Sequence, residues 1–140
     1  MALSLQELLA LPADPTYYLS FPLIPKGGRI VIGGPAKHFK SMLAMNMAYD
    51  LSEGLPLFGL KKPDGDDLWP VKQPLTILYC EQEIGRYRLK ERMTRIQKWR
   101  NGDIAPVNLY YEAKGSEIML DIPLGVRRLQ ERIEAVKPHI

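Results

Sequence analysis

Lys40 and Ser41 are the residues of this chain whose types and spacing most clearly indicate chemistry. They follow a turn that begins at Gly34, with the spacing of the motif G-x-x-x-x-G-K-S/T. Backbone N–H groups of such a turn can bind phosphate oxygens, the lysine contacts the outer phosphates, and the hydroxyl binds Mg²⁺. The sequence therefore predicts a site for a nucleoside triphosphate with Mg²⁺ on Ser41. Its predicted residues are Gly34, Pro35, Ala36, Lys37, His38, Phe39, Lys40 and Ser41.

Phe39 departs from the motif, because it stands where a second glycine is expected. A side chain at this position must point away from the phosphates for the cradle to close. The alternative interpretation is a lysine-containing loop that only joins a strand to a helix. The flanking pattern favours the phosphate site, since the apolar run 30–32 predicts a buried strand and residues 42–48 predict a buried helix.

Strands and helices alternate around this turn. Residues 1–25 form a predicted lead-in segment, and residues 26–140 follow the order β-α-β-α-β-α. This order predicts an α/β fold with a parallel sheet flanked by helices. A loop rich in Pro, Gly and Asp covers residues 55–73. The predicted strands are 30–32, 75–80 and 107–111; the predicted helices are 3–11, 40–52 closed by Gly54, 85–100, and 123–136 with Asp121 as its N-cap.

Residues 137–140 look like the approach to a further strand. A parallel sheet without that strand would have an unpaired apolar edge. We therefore expect a sheet that is incomplete at the C-terminus, with residues 26–140 forming the N-terminal portion of a larger domain.

Composition is that of an ordinary globular protein, with 46% hydrophobic and 25% charged residues. The net charge of +3 does not by itself indicate a nucleic-acid partner, because basic and acidic residues are interleaved. Cys80 is the only cysteine, which excludes an internal disulfide. No segment has the apolar length needed to span a bilayer, and the start lacks the basic residues of a signal peptide. These features predict a cytoplasmic protein.

Residues 23–140 resemble the RecA-like P-loop ATPases. The predicted phosphate-binding turn and the acidic end of the second predicted strand carry this resemblance. The resemblance is to the branch with RepA-type replicative helicases and plasmid and phage replication ATPases. It includes an Ile-Pro-Lys-Gly-Gly entry at residues 24–28 and the segment Gly-Leu-Pro-Leu-Phe-Gly at 54–59. A predicted strand ending in Glu-Gln-Glu at 81–83 follows, and after it comes the predicted helix over 85–100, which is rich in arginine and lysine and is called the basic helix below.

The resemblance implies a role for Glu83, which matches the glutamate that orients the water attacking the terminal phosphate. Glu81 is the competing assignment, and both acids could instead begin the loop or cap the next helix. Lys40 is the other predicted catalytic residue. The family also has an aspartate that holds Mg²⁺ through water. Asp121 has the local form for it, but its position before a helix suits an N-cap better, so we expect that aspartate beyond Ile140.

The resemblance further implies ATP as the ligand, with DNA and a hexameric ring of identical subunits as partners in the full-length form. Arg86, Arg88, Arg92 and Arg95 could act across subunits or contact DNA, but their helical spacing favours a solvated face. Two other functions stay open. One is a nucleotide-binding or assembly module without turnover, and the other is a P-loop kinase acting on a small molecule.

Overall fold

The computed structural model describes residues 4–12, 14–100, 102, 105–114, 118 and 120–140. Helices and strands alternate after residue 40, as the sequence predicts. The elements are α1 (Leu5–Leu9), β1 (Tyr18–Ser20), β2 (Ile24–Pro25), α2 (Lys40–Glu53), β3 (Ile77–Gly85), α3 (Arg86–Trp99), β4 (Leu109–Lys114) and α4 (Pro123–Val136).

The central sheet pairs β3 with β4 in parallel, in a register that sets Ile77 beside Leu109 and Tyr79 beside Tyr111. On the opposite edge of β3, the Leu78 N–H donates to the Ile140 carbonyl at 2.9 Å and the Ile140 N–H donates to the Thr76 carbonyl at 3.4 Å. Bonds from one residue to the positions on either side of its neighbour are the pattern of parallel strands. Ile140 thus lies along β3 in the direction expected of a further parallel strand.

Helix α2 packs against both halves of the core. Its residues Ala48 and Leu51 join one cluster with Leu57, Leu75 and Ile77. On another side of the same helix, a second cluster combines residues of α2, α3 and the sheet: Met45, Tyr49, Leu89 and Ile96, with Tyr79 and Tyr111 packed against them. The helix that follows the predicted phosphate-binding turn is therefore fixed by apolar contacts along its length.

The lead-in segment contributes to this core. Strands β1 and β2 pair antiparallel, and Ile24 is only 4% exposed beside α2 and β3. The short helix predicted over 3–11 is observed as Leu5–Leu9, with a capping box between Ser4 and Glu7. Residue 3 lies outside the described residues. The division of the chain at residues 25 and 26 stays a prediction.

The buried strand predicted over 30–32 is wrong. No strand is formed there, and Val31 is 91% exposed. A strand needs a hydrogen-bonded neighbour, which a run of β-branched residues does not supply by itself. Ile30 and Ile32 instead line a cavity of about 300 Å³ to which the first residues of β3 also contribute.

Helix and strand boundaries agree elsewhere to within a few residues. Gly54, with φ +69°, closes α2 as predicted, and its N–H donates to the carbonyls of Asp50 and Leu51. Strand β3 begins and ends later than expected and includes the acidic residues 81–83. The predicted N-cap at Asp121 is wrong: α4 begins at Pro123, and its N-cap is Ile122, which has no capping side chain.

Candidate functional site

The predicted phosphate-binding turn is a sharply bent loop between residue 33 and the start of α2. Lys37 and Phe39 both have left-handed backbone conformations, with φ of +64° and +56°, and Gly34 has φ +151°. Turns of this kind direct successive backbone N–H groups toward one side, where an anion can bind. The His38 ring supports the loop through Nδ1, which donates to the Ala36 carbonyl at 2.9 Å.

Lys40 crosses this loop from the first residue of α2. Its Nζ donates to the Gly34 carbonyl at 2.8 Å and to the Pro35 carbonyl at 2.6 Å. The ammonium group is therefore held over the turn by the turn's own backbone. Ser41 follows in the first turn of α2 and is half-buried. The N-terminus of α2 adds partial positive charge at the same place.

Phe39 is the N-cap of α2 and makes no side-chain capping bond. Its side chain is 80% exposed, so the ring does not fill the interior of the loop. Having Phe39 instead of glycine at this position costs free energy in the backbone, because the left-handed conformation is about 1–2 kcal/mol less favourable for a residue with a Cβ. The structure thus accommodates the mismatch by turning the ring outward.

A cavity of about 840 Å³ lies against this loop. It is lined by residues 36–42, by Glu81, Glu83 and Ile84 at the end of β3, and by Arg92 from α3. The loop, the acidic strand end and one arginine of the basic helix therefore face the same space. Asp121 does not line this cavity and is exposed.

Glu81 and Glu83 have different surroundings in the structure. Glu81 is 7% exposed, and its Oε1 accepts hydrogen bonds from the Glu83 N–H at 2.8 Å and the Ile84 N–H at 3.4 Å. Its carboxylate thus holds the backbone where β3 ends. Glu83 is exposed, and its carboxylate makes no hydrogen bond with the residues that the structure describes. Glu83 is therefore the carboxylate available to a ligand or a water molecule.

The donor groups on the cavity wall suit a magnesium nucleotide. Mg²⁺ prefers oxygen ligands and usually keeps several waters, so one hydroxyl with phosphate oxygens is an ordinary set. The Ser41 hydroxyl and the Glu83 carboxylate are such groups. Among the described residues, no cluster of three or more His, Cys, Asp or Glu could hold a metal ion without the nucleotide.

Asp50 anchors the other end of α2, and the sequence analysis did not single it out. Its carboxylate is fully buried and accepts from the Arg100 Nη2 at 2.7 Å and from the Phe58 N–H at 2.8 Å. Burial raises the pKa of Asp50, while the Phe58 bond and the Arg100 charge act in the opposite direction. Arg100 also stacks over the Trp99 ring, with 4.6 Å from Cζ to the centroid. This junction ties α2 to α3 and to the loop after α2.

Arg92 lines the cavity, whereas the sequence analysis grouped it with Arg86, Arg88 and Arg95 and favoured a solvated face for all four. Its helical position between Leu89 and Ile96 was the available signal, because a residue on the flank of a buried face can lie along the sheet instead of in solvent. Arg92 is half-buried, unlike the fully solvated arginine face that the spacing predicts.

The parallel β3–β4 pair with its flanking helices is compatible with an α/β P-loop fold, and the family match below supports the class of P-loop ATPases. Residues 1–140 match a family profile described as an AAA domain, and the chain belongs to that family. No curated protein and no solved structure is significantly similar to it. In the part of the chain that the structure describes, every helix is too short or too polar to cross a membrane.

Proposed function

We propose that this protein binds ATP with Mg²⁺ at residues 34–41 and hydrolyses it with Glu83 orienting the water. The observation that carries the proposal is the position of Lys40, whose ammonium lies over the Gly34 and Pro35 carbonyls at the N-terminus of α2. That loop and the acidic end of β3 line one cavity, and phosphoryl transfer to water requires a phosphate site and a water-orienting group in the same space.

In this proposal each residue has a distinct task. Backbone N–H groups of Gly34 and of residues 36–39 bind the inner phosphate, since Pro35 has no N–H, and Lys40 exchanges its carbonyl partners for oxygens of the outer phosphates. Ser41 holds Mg²⁺, which neutralises charge on the phosphates when bound. Glu83 accepts a hydrogen bond from water and aligns it with the terminal phosphate, while Glu81 keeps the backbone of residues 83 and 84 in place.

Binding of a fluorescent ATP analogue, with and without Mg²⁺, tests the phosphate site. We expect wild type to bind and Lys40→Ala to lose at least about tenfold in affinity, because a charge-assisted contact to phosphate contributes roughly 1.5–3 kcal/mol. Lys62→Ala is the matched control, since this exposed lysine lies outside the cavity. Circular dichroism checks that all three proteins are folded. No binding by a folded wild type, or equal binding by Lys40→Ala, would refute the proposal.

A module that binds nucleotide without turnover is the second candidate. It is favoured by Phe39 at the glycine position and by the absence of Asp121 from the cavity wall. Phosphate release separates the two functions. If the protein is an ATPase, Glu83→Gln should abolish release while nucleotide stays bound, because the amide no longer orients the water as a carboxylate does. A wild type that binds ATP and releases no phosphate would identify the binding module.

The RecA-like branch, a replication or helicase role, DNA as a partner, a hexameric ring and a cytoplasmic location are further parts of the proposal, supported by the sequence resemblance. Sedimentation with and without Mg-ATP tests ring formation. Fluorescence anisotropy with labelled single-stranded DNA tests the nucleic-acid partner. A protein that stays monomeric and does not bind DNA under either condition would refute the ring and the DNA partner, while the nucleotide site would be unaffected.

A further inference from the structure

Arg92 differs from its neighbours on α3. The exposed arginines of this helix are Arg86, Arg88 and Arg95, whereas Arg92 is half-buried and lines the cavity beside the phosphate-binding loop. Burial of Leu89 and Ile96 against the sheet sets the rotation of the helix and thereby the position of Arg92 on its flank.

The Arg92 guanidinium has no anionic partner among the residues that the structure describes. One turn away, Arg95 pairs with Glu91 at 2.7 Å, so an arginine on this helix can find an acid when one is in reach. A guanidinium carries a permanent charge and five N–H donors, and partial burial without an anion leaves that charge poorly compensated. Arg92 is therefore suited to accept an anion that enters the cavity.

Arg92 is close enough to β3 for its charge to act on Tyr79. Burial raises the pKa of the Tyr79 phenol, the Glu81 and Glu83 charges act in the same direction, and Arg92 acts against them. Arg92 thus lines the same cavity as Glu83 and as the loop that carries Lys40.

Neither acid that lines the cavity forms an ion pair with Arg92. Glu81 is committed to backbone N–H groups, and Glu83 makes no ion pair with a described residue. A ligand seated on the loop would therefore share the cavity with two cations, Lys40 and Arg92.

Resting on the proposed function, we infer that Arg92 contacts the terminal phosphate of the bound nucleotide and makes the site prefer a triphosphate over a diphosphate. The loop at the start of α2 surrounds the inner phosphates, so the group that extends toward Glu83 is the outermost one. An arginine fork fits two phosphate oxygens at once, and a diphosphate offers it no such group.

Affinities for ATPγS and for ADP, both with Mg²⁺, test this inference. Arg92→Gln keeps much of the side-chain length but removes the charge. We expect it to weaken ATPγS binding about tenfold to hundredfold while ADP binding changes by no more than about threefold. Arg92→Lys should keep part of the preference, because it retains the charge without the fork. Lys90→Gln, an exposed change on the same helix, should leave both affinities unaltered.

The outcomes separate this inference from the proposed function. Equal loss of ATPγS and ADP in Arg92→Gln, or no loss of either, would overturn the role of Arg92 while Lys40→Ala still tests the phosphate loop. A folded wild type that binds neither nucleotide would overturn both. Thermal unfolding of each variant identifies a folding defect. If Arg92→Gln does not fold, Arg92→Ala and Arg92→Lys take its place. The inference would then be contradicted if the ratio of ATPγS affinity to ADP affinity in Arg92→Ala equals that of wild type and Arg92→Lys loses affinity for both nucleotides.

Discussion

Replacing Asp50 with alanine should destabilise the protein far more than replacing an exposed acid. Asp50 is fully buried and accepts hydrogen bonds from Arg100 and from the Phe58 N–H. Arg100 is itself only 13% exposed, so Asp50→Ala strands a positive charge and a backbone donor in the interior. Removing one partner of a buried pair costs about 3–5 kcal/mol. Because a domain has only about 5–15 kcal/mol of stability, this is a large fraction of the total.

Urea unfolding at neutral pH measures this loss of stability. In thermal unfolding, the melting temperature of Asp50→Ala should lie about 10 °C or more below that of wild type. Asp67→Ala is the matched control, because Asp67 pairs with Lys61 at 2.6 Å but the lysine side chain is 59% exposed. Such a pair contributes about 1 kcal/mol or less. The loss of stability in Asp50→Asn should lie between those of Asp50→Ala and Asp67→Ala, since the Asn amide oxygen can still accept a hydrogen bond from the Phe58 N–H.

A double-mutant cycle with Arg100→Ala isolates the pair itself. We expect the losses from Asp50→Ala and Arg100→Ala to be non-additive by more than about 1 kcal/mol, because either change alone already breaks the contact. Strict additivity, or a loss in Asp50→Ala no larger than that in Asp67→Ala, would refute the reasoning that this junction fixes α2.

Three further substitutions test smaller features. In Gly54→Ala, a Cβ would lie 2.9 Å from the Pro74 nitrogen in a backbone with φ +69°, so clash and left-handed strain together should cost about 2–3 kcal/mol by urea unfolding. Gly27→Ala, with φ +65° and nothing within 4 Å, should cost only about 1–2 kcal/mol, and equal losses would argue against the clash. The Tyr111 hydroxyl is buried with no hydrogen-bond partner in the described structure. Tyr111→Phe should therefore leave stability unchanged or raise it by about 1–2 kcal/mol in thermal unfolding, and a clear loss would mean that the hydroxyl is hydrogen-bonded in solution.

Helices could be predicted from the sequence because their signals are local. The period of Leu89, Met93 and Ile96 and the stop at Gly54 depend only on neighbours a few residues away, and α2 and α3 form nearly where expected. The strand predicted over 30–32 failed because a strand also needs a hydrogen-bonded partner, which composition does not reveal.

The candidate site also has features that the sequence reveals and features that depend on the folded structure. The loop and the acidic strand end could be found from spacing, but the difference between Glu81 and Glu83 could not, since it depends on which carboxylate reaches the backbone of residues 83 and 84. Likewise, Asp50 and Arg100 are 50 positions apart, and no local pattern joins them. Whether Glu83 and residues 34–41 act on a nucleotide stays a prediction for the binding experiments.

The backbone bonds between β3 and residues 139 and 140 also affect how the chain folds during synthesis. Thr76 and His139 are 63 positions apart, and at roughly 5–20 residues per second this separation takes a ribosome about 3–13 s to translate. Helix α2 can form within microseconds of its exit, whereas this edge of β3 has no partner over that interval. Unpaired strand edges recruit other chains, so slower translation or a missing chaperone should lower the soluble yield of nascent protein before it affects the finished fold.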